Sequence, residues 1–416
     1  MKISEAIIMT ETYKNYLLLN SLSVYRGILG RSVLKGYRGL LAASGGKPEE
    51  FLSAYGSFYS LLCERGVCDK LAYTITRAAL FDENNFTLAA AAGETDSLSD
   101  TVIDAVKNDY NIIKSLCSLE AETILREYSA KFPEAEYVIQ TLPRYTLGSP
   151  VSEFDGDLDI NKLSDFHKHN GCGLFARYKA FIWRDGDIRP VEHPDKISMD
   201  CFTGYEIQRN KVVENTKAFL SGKSCNNCLL YGDMGTGKSS TVKAIGNEFR
   251  KDGLRIVEMP KERLMDFPVL VDKIASLPLK FIVFIDDLSF RHQDQSYTSL
   301  KAVLEGGLAA RPKNALIYAT SNRRHLVKES WQDRDTDDIH RNDNMQETLS
   351  LSDRFGLAVC YQNPSKQEYL DIVFSLAEEA GLKMSEKELE LGAERFALGR
   401  GGRSPRCARQ YVDSLG

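Results

Sequence analysis

Residues 229–241 read LLYGDMGTGKSST, a stretch in which three glycines precede one lysine and three hydroxyl side chains. The spacing matches G-x-x-x-x-G-K-[ST], with Gly232, Gly237, Lys238 and Ser239 in the fixed positions. Glycines let the backbone turn successive N–H groups inward around an anion, and a helix that follows points its positive end at the same place. The stretch therefore predicts a phosphate-binding loop, in which Lys238 reaches the β- and γ-phosphates of a nucleotide and Ser239 contacts Mg²⁺. The predicted nucleotide-binding residues of this loop are Gly232, Asp233, Met234, Gly235, Thr236, Gly237, Lys238, Ser239 and Ser240.

Two carboxylates end an apolar run further along the chain, in the segment FIVFIDD at residues 281–287. A buried strand has little structural use for paired aspartates at its end, but that position suits a metal ligand. We expect Asp286 to bind Mg²⁺ and Asp287 to polarise the water that attacks a phosphate. A solvated strand end is the alternative, and the glycine loop upstream favours the metal site.

The residues around these motifs alternate between apolar strands and helices from about residue 202 onward. Apolar strands separated by helices are typical of a parallel sheet that helices cover on both faces, and such sheets bind ligands at the carboxyl ends of the strands. The fold would therefore bring the glycine loop and the aspartates to one edge of the sheet. The predicted strands are 228–232, 254–259, 281–287 and 314–322.

The first 170 residues have a different pattern, with apolar residues such as Tyr16, Leu19 and Leu22 at helical spacing. Residues 174–189 then change to bulky strand formers around Asp185 and Gly186, a strong turn signal, and predict a β-hairpin. Prolines follow the hairpin and favour a boundary there. We expect three domains: a mostly helical one with the β-hairpin at 1–195, an α/β nucleotide-binding core at 196–362 and a helical lid at 363–416.

These ordered motifs resemble those of the AAA+ ATPases over roughly half of the chain, from about Phe202 to the C-terminus. YGDMGTGKSS is similar to their Walker A loop and FIVFIDD to their Walker B strand. IYATSN resembles the strand that carries the sensor-1 residue, SDRFG the arginine-finger segment and GRGGRSPRCARQYVD the sensor-2 helix of the lid. The resemblance implies Asn322 as sensor 1, Arg354 as the finger, and Arg406 ahead of Arg403 as sensor 2.

Each of these implied roles has a physical reason. The neutral amide of Asn322 can orient the attacking water without adding charge, and the permanently charged fork of Arg354 can stabilise a phosphoryl-transfer transition state. A surface salt bridge is the alternative for Arg354. On a helix, Arg403, Arg406 and Arg409 would share one face, which could close on the γ-phosphate or form a solvated basic stripe.

The details FIDDLSF, ATSNRRHL and GYEIQR resemble more closely an uncharacterised bacterial AAA+ family, filed as a domain of unknown function, whose ATP binding is inferred from its motifs. Most AAA+ proteins have Asp-Glu at the end of the Walker B strand, whereas this chain has Asp286 and Asp287. The shorter side chain of Asp287 must approach the water more closely, so hydrolysis could be slow. The pair is typical of this family, and we do not interpret it as a dead site.

Composition and charge exclude some classes of function. The 416 residues carry a formal net charge of −5, so the whole molecule is not an electrostatic nucleic-acid binder, although a local basic face stays open. Nine scattered cysteines do not form a secreted disulfide framework; we interpret Cys225 and Cys228 as packing, and His167 and His169 as part of a solvated loop. Without a basic segment before an apolar N-terminal core, or any run of about 18 apolar residues, the sequence favours a cytoplasmic protein without membrane contact.

The sequence thus predicts an ATPase that needs Mg²⁺ and acts as a homo-oligomeric ring or partial ring on an unidentified protein or nucleic-acid partner. Two alternatives stay open: an ATP-gated assembly module with little turnover, and a DNA-associated ATPase of the helicase-loader kind, which would need a basic, aromatic-lined surface. GTP is disfavoured because no N-K-x-D motif follows the Walker B strand at a suitable distance. The polar, acidic segment 327–350 is interpreted as a surface insertion.

Overall fold

The computed structural model of the protein describes residues 9–275, 277–289, 300–301, 303–304, 313–322 and 354–416. The chain divides into two compact units, Met1–Arg177 and Tyr178–Gly416. The acidic segment 327–350 lies outside the described residues.

The first unit is built from helices, which in the described residues are α1 (Glu11–Asn20), α2 (Ser32–Ala43), α3 (Pro48–Glu64), α4 (Leu71–Leu80), α5 (Asn85–Ala92), α6 (Asp100–Leu116), α7 (Ala121–Lys131), α8 (Glu136–Thr141), α9 (Ile160–Asn170) and α10 (Gly173–Arg177). Their apolar residues recur three and four positions apart and meet in one core. In α3, Phe51, Tyr55 and Phe58 follow this spacing and are buried. The ring of Phe51 stacks on that of Tyr128 from α7, with centroids 3.7 Å apart. Burying each such side chain contributes about 1.5–3 kcal/mol to the stability of the folded state. The predicted helical character of this region is confirmed.

The second unit is built around a seven-stranded sheet in the order β2-β1-β4-β5-β6-β3-β7. The pairs from β1 through β4, β5, β6 and β3 to β7 are all parallel, whereas β1 and β2 are antiparallel. The strands are β1 (Ala180–Arg184), β2 (Asp187–Pro190), β3 (Cys228–Gly232), β4 (Leu254–Glu258), β5 (Lys280–Ile285), β6 (Ala315–Ser321) and β7 (Leu357–Tyr361). The helices are α11 (Glu206–Leu220), α12 (Lys238–Glu248), α13 (Phe267–Ala275), α14 (Lys366–Glu379), α15 (Glu386–Gly399) and α16 (Pro405–Asp413).

The central strands explain why the predicted parallel sheet is confirmed. All residues of β6 are buried, and so are the last five of β5, because helices and neighbouring strands exclude water from both faces. Ile285 at the end of β5 pairs with Ala319 of β6, and Tyr231 of β3 pairs with Ser321. The carboxyl ends of these three strands therefore lie side by side, at the edge where the predicted site residues follow.

Three details of the predicted architecture differ from the structure. Strand β7 was not predicted, because its five residues are only partly buried and carry no clear pattern. The hairpin turn at Asp185 and Gly186 is present, with positive φ at both residues, but Phe175 lies in α10 and not in the hairpin. Because β1 pairs with β4, the hairpin extends the sheet of the second unit, and the boundary between units falls after Arg177 instead of after residue 195.

The histidine prediction was wrong. His167 and His169 lie on α9, and His167 is fully buried, with its Nδ1 3.1 Å from the carbonyl oxygen of Gly171. Burial lowers the pKa of His167 to about 4, so the ring is neutral near pH 7. The apolar residues of α9 are too few to reveal this burial from spacing alone.

The last three helices pack on one another around their own apolar cluster, which includes Tyr369, Val373 and Tyr411. Capping boxes start two of them, with Ser365 and Ser385 as the N-cap residues. This separate cluster is compatible with the predicted lid at 363–416, although the division at residue 362 stays a prediction. Among the described residues, every helix is too short or too polar to cross a membrane.

Candidate functional site

The glycine loop between β3 and α12 has the backbone that its sequence predicts. Gly232, Gly235 and Gly237 all have positive φ, at 130°, 77° and 90°. A Cβ atom on Gly232 would lie 2.1 Å from the carbonyl oxygen of Tyr361, so glycine is required where the loop passes β7. Gly237 is the N-cap of α12 in the left-handed region, which turns the chain into the helix. The loop therefore presents the first turn of α12, where backbone N–H groups favour an anion.

Lys238 begins α12 and turns its side chain back along the loop. Its Nζ donates to the carbonyl oxygens of Gly232, at 3.0 Å, and Asp233, at 2.6 Å, and the residue is buried. Burial lowers the pKa of Lys238, while the nearby carboxylates of Asp233, Asp286 and Asp287 act in the opposite direction. The loop thus holds an ammonium group beside a helix N-terminus, an arrangement that fits a phosphate chain.

Asp286 connects the loop to the sheet. Its Oδ1 accepts hydrogen bonds from Ser239 Oγ, at 2.6 Å, and from Thr320 Oγ1, at 2.5 Å. The two predicted metal ligands, Ser239 and Asp286, are therefore in direct contact. Magnesium prefers hard oxygen ligands and keeps several waters, so one hydroxyl and one carboxylate beside a phosphate site fit its requirements.

Asp287 follows Asp286 at the same strand end, and Asn322 contacts its carboxylate. Asn322 Nδ2 donates to Asp287 Oδ1 at 2.8 Å, and the Asp287 N–H donates to Thr320 Oγ1 at 3.0 Å. Asp287 has a φ of 48°, an uncommon value for a residue other than glycine. Lys261 Nζ is 3.9 Å from Asp287 Oδ2, but both side chains are partly exposed and the pair contributes little to stability. The predicted pair Asp287 and Asn322 is thus brought together, while Thr320 and Lys261 were not predicted.

Most of these residues line one cavity of about 780 Å³, within the range of small-molecule sites, whereas Gly232, Asp233 and Lys261 are not part of its lining. Its lining includes the loop residues from Met234 to Ser240, together with Asp286, Asp287 and Asn322. The lining also contains apolar residues that the sequence motifs did not predict. These include Ile197, Phe202, Tyr205, Ile372 and Leu376. A lining that combines a glycine loop, carboxylates and apolar side chains is compatible with a ligand that has both an anionic and an apolar part.

Tyr205 is one of the apolar residues that line the cavity. It adopts the left-handed conformation, with φ at 60°, at the start of α11. Its hydroxyl donates to the carbonyl oxygen of Gln362 at 2.6 Å, and its ring stacks on Tyr361 with centroids 5.3 Å apart. The segment before α11 is thereby fixed to the end of β7, next to the glycine loop.

The arginines of the predicted lid have different surroundings, and the prediction that they share one helical face was wrong for Arg403. Helix α16 begins at Pro405 with Ser404 as its N-cap, so Arg403 precedes the helix. Arg403 binds Glu394 through Nε, at 2.9 Å, and Nη2, at 2.6 Å. Arg406 lines the cavity, and its N–H donates to the carbonyl oxygen of Gly235 at 3.1 Å. Arg409 also lines the cavity, with its guanidinium 3.9 Å from Glu379.

Among the described residues, Arg354 is not one that lines the cavity. It lies just before β7, whose first residue, Leu357, pairs with Cys228 at the start of β3. The glycine loop follows the other end of β3. Arg354 is therefore at the amino-terminal edge of the parallel sheet, opposite the edge that carries the cavity.

The parallel order β4-β5-β6-β3-β7, with a glycine loop after β3 and acidic and amide side chains after β5 and β6, defines the core of an AAA+ P-loop ATPase. Residues 176–416 match the family described as "Protein of unknown function (DUF815)", and the chain belongs to that family.

Individual proteins are more distant. The chain is 28% identical over 190 residues to an ORC1-type DNA replication protein of Methanocorpusculum labreanum, which covers 41% of each chain. The RuvB Holliday junction branch migration motor of Thermotoga maritima is 16% identical, with a TM-score of 0.36, over 52% of this chain and 63% of RuvB. A variant of the same RuvB is 17% identical, with a TM-score of 0.37 over the same shares. The chain thus spans less than two thirds of the length of these proteins.

Proposed function

We propose that the protein binds ATP with Mg²⁺ and hydrolyses it, and that turnover drives a conformational change in a macromolecular partner. The observation that supports this best is the contact of Ser239 with Asp286 beside the contact of Asn322 with Asp287, both at the mouth of the glycine loop. One pair suits a metal ion and the other suits a water molecule. Phosphoryl transfer to water needs both to be positioned around the γ-phosphate.

Each residue then has a distinct task. The loop from Gly232 to Ser240 and the Lys238 ammonium hold the β- and γ-phosphates. Ser239 and Asp286 would hold Mg²⁺, which neutralises charge on the phosphate oxygens when bound. Asp287 accepts a hydrogen bond from the attacking water, and Asn322 keeps its carboxylate oriented. Arg406 extends from the predicted lid toward the phosphates. Its contact with the nucleotide therefore depends on whether the lid is closed.

Lys238→Ala is expected to weaken ATP binding roughly 100-fold or more, because two charge-assisted contacts to phosphate are lost. Binding would be measured by calorimetry with ATP and Mg²⁺. Lys243→Ala is the matched control, since this lysine lies on the same helix with its side chain 43% exposed and pairs with Asp195. The phosphate assignment fails if Lys238→Ala binds ATP as tightly as the parent and Lys243→Ala.

Arg406→Ala and Arg403→Ala are expected to separate a nucleotide contact from a structural one. Arg406→Ala should raise the KM for ATP or lower turnover, because its side chain lines the cavity. Arg403→Ala should lower the thermal stability of the lid and leave the KM unchanged, since its guanidinium is bound to Glu394. Steady-state kinetics and thermal melts of both variants test this. Equal kinetic losses in the two variants would remove the distinction.

An association with DNA is a second candidate function, favoured by the similarity to an ORC1-type DNA replication protein. It would be tested by the anisotropy of labelled single-stranded and duplex DNA, with and without ATP, over a range of salt concentrations. Affinity that requires ATP and falls steeply with salt would support it, since phosphate contacts release counterions. The net charge of −5 means that any such surface must be a local basic patch.

A further inference from the structure

Two thiols face each other at the end of α3 in the helical unit. The Sγ atoms of Cys63 and Cys68 are 3.2 Å apart, and both cysteines are free. Cys63 is exposed, whereas Cys68 is half-buried. The pair lies in the first unit, while the nucleotide cavity is lined by residues of the second unit.

The way α3 ends explains why the thiols meet. The N–H of Val67 donates to the carbonyl oxygen of Leu62 at 2.9 Å, and that of Gly66 donates to Cys63 at 3.0 Å. Gly66 has a φ of 62°, so the three features together form a Schellman motif. This motif reverses the chain immediately after the helix and returns Cys68 to the last helical turn, where Cys63 lies.

The backbone of Cys68 is also fixed from the other side. Its carbonyl oxygen accepts a hydrogen bond from the N–H of Thr146 at 2.9 Å, and Val67 and Cys68 pack against the core of the unit. The backbone positions of both cysteines are therefore fixed by main-chain contacts that do not involve their thiols. A disulfide has an S–S distance of about 2.05 Å, so the two sulfurs need to approach by only about 1 Å.

We propose that Cys63 and Cys68 form a reversible redox modification site that reacts with low-molecular-weight disulfides. The exposed Cys63 thiolate attacks a small disulfide, forms a mixed disulfide and releases one small thiolate. Cys68, as its thiolate, then attacks the Cys63 sulfur, forms the Cys63–Cys68 bond and releases the second small thiolate. Two protein thiols are oxidised and the small disulfide is reduced; the two protons that the protein thiols lose are taken up by the two small thiolates, which leave as thiols.

The order of these steps follows from exposure. Burial raises the pKa of the Cys68 thiol, with the hydrogen bond between Cys68 and Cys63 acting in the same direction, so Cys68 is a poor first nucleophile. Once Cys63 carries the mixed disulfide, Cys68 lies beside the sulfur that it attacks. The second step is intramolecular and benefits from the high effective concentration of a positioned group.

The test is incubation of the full-length protein with oxidised glutathione, followed by peptide mapping under non-reducing conditions. The expected product is a Cys63–Cys68 crosslink without attached glutathione, which dithiothreitol reverses. In Cys68→Ser a glutathione adduct should accumulate on Cys63 and persist at least about ten times longer than in the parent, since no neighbouring thiol resolves it. The exposed Cys201 is the internal control, because it should form a glutathione adduct in every variant.

Two results would overturn the proposal. One is a parent protein in which Cys63 keeps glutathione as long as Cys201 does, with no crosslink. The other is a parent in which Cys201 reacts and both Cys63 and Cys68 stay unmodified. The readout is the covalent state of the parent protein itself, so it does not depend on the variants folding or on nucleotide turnover.

Discussion

Asp287→Asn is expected to keep ATP bound and to lower its turnover by roughly 100- to 10,000-fold, the usual contribution of a positioned acid or base. The substitution keeps the size of the side chain and its contact with Asn322, which is 2.8 Å from the carboxylate in the parent. It removes the charge that would orient and polarise the attacking water. Phosphate release under saturating ATP, together with calorimetric binding, measures both effects.

Asp286→Ala should behave differently, although the two aspartates are neighbours. Asp286 accepts hydrogen bonds from Ser239 and Thr320, so its loss should weaken Mg²⁺-dependent binding of ATP itself. Asp272→Asn, at an exposed position of α13, is the control for removal of one negative charge. Equal loss of ATP binding in Asp287→Asn and Asp286→Ala would mean that Asp287 does not act on the water.

Asp287→Glu examines the unusual length of this side chain. A glutamate reaches further from the strand end and would restore the acid found in most AAA+ proteins. If the short aspartate limits hydrolysis, the glutamate variant should turn over ATP faster than the parent. Turnover near background in the parent, with tight ATP binding, would instead favour an ATP-gated assembly module over a motor.

The central sheet was predictable because burial on both faces gives a strand an almost continuous run of apolar residues. Every residue of β6 is buried, so its sequence is apolar almost without interruption. The residue types at the strand ends then indicated the site, since the ends of parallel strands meet at one edge. Strand β7 lacked this signal, because it is only partly buried and its pairing with β3 provides its position.

The residues that were missed depend on contacts between distant segments. In the sequence, Thr320 is one more residue of a predicted strand. Its hydroxyl contacts Asp286 because the register of β6 against β5 places the two residues side by side. Lys261 reaches Asp287 from the segment after β4, and the apolar cavity wall combines residues before α11 with residues of α14. Arg403 was misplaced although Ser404 and Pro405 form a recognisable helix start. Spacing along one segment does not report such pairings.

The last prediction concerns Arg354, which we propose to act on the nucleotide of a neighbouring subunit. Strand β7 separates Arg354 from the cavity edge, and five residues of strand span on the order of 15 Å. Arg354 therefore lies at the wrong edge of the sheet to reach the phosphates bound by its own loop. An arginine supplied in trans is worth about 10³–10⁵ in rate in other nucleotide hydrolases. Arg354→Ala should lower turnover by a factor in that range while ATP binding persists.

Because one site would need two chains, mixing experiments can test this arrangement directly. Activity per chain should rise with protein concentration as subunits associate. Arg354→Ala chains provide an intact loop and Lys238→Ala chains provide an intact arginine, so mixing the two inactive variants should restore part of the activity. A chain with both substitutions, mixed with Arg354→Ala, is the matched control and should restore none, because no interface then combines Lys238 with Arg354. Specific activity that stays flat on dilution, without rescue on mixing, would leave Arg354 as an ordinary surface arginine and the site as complete within one chain.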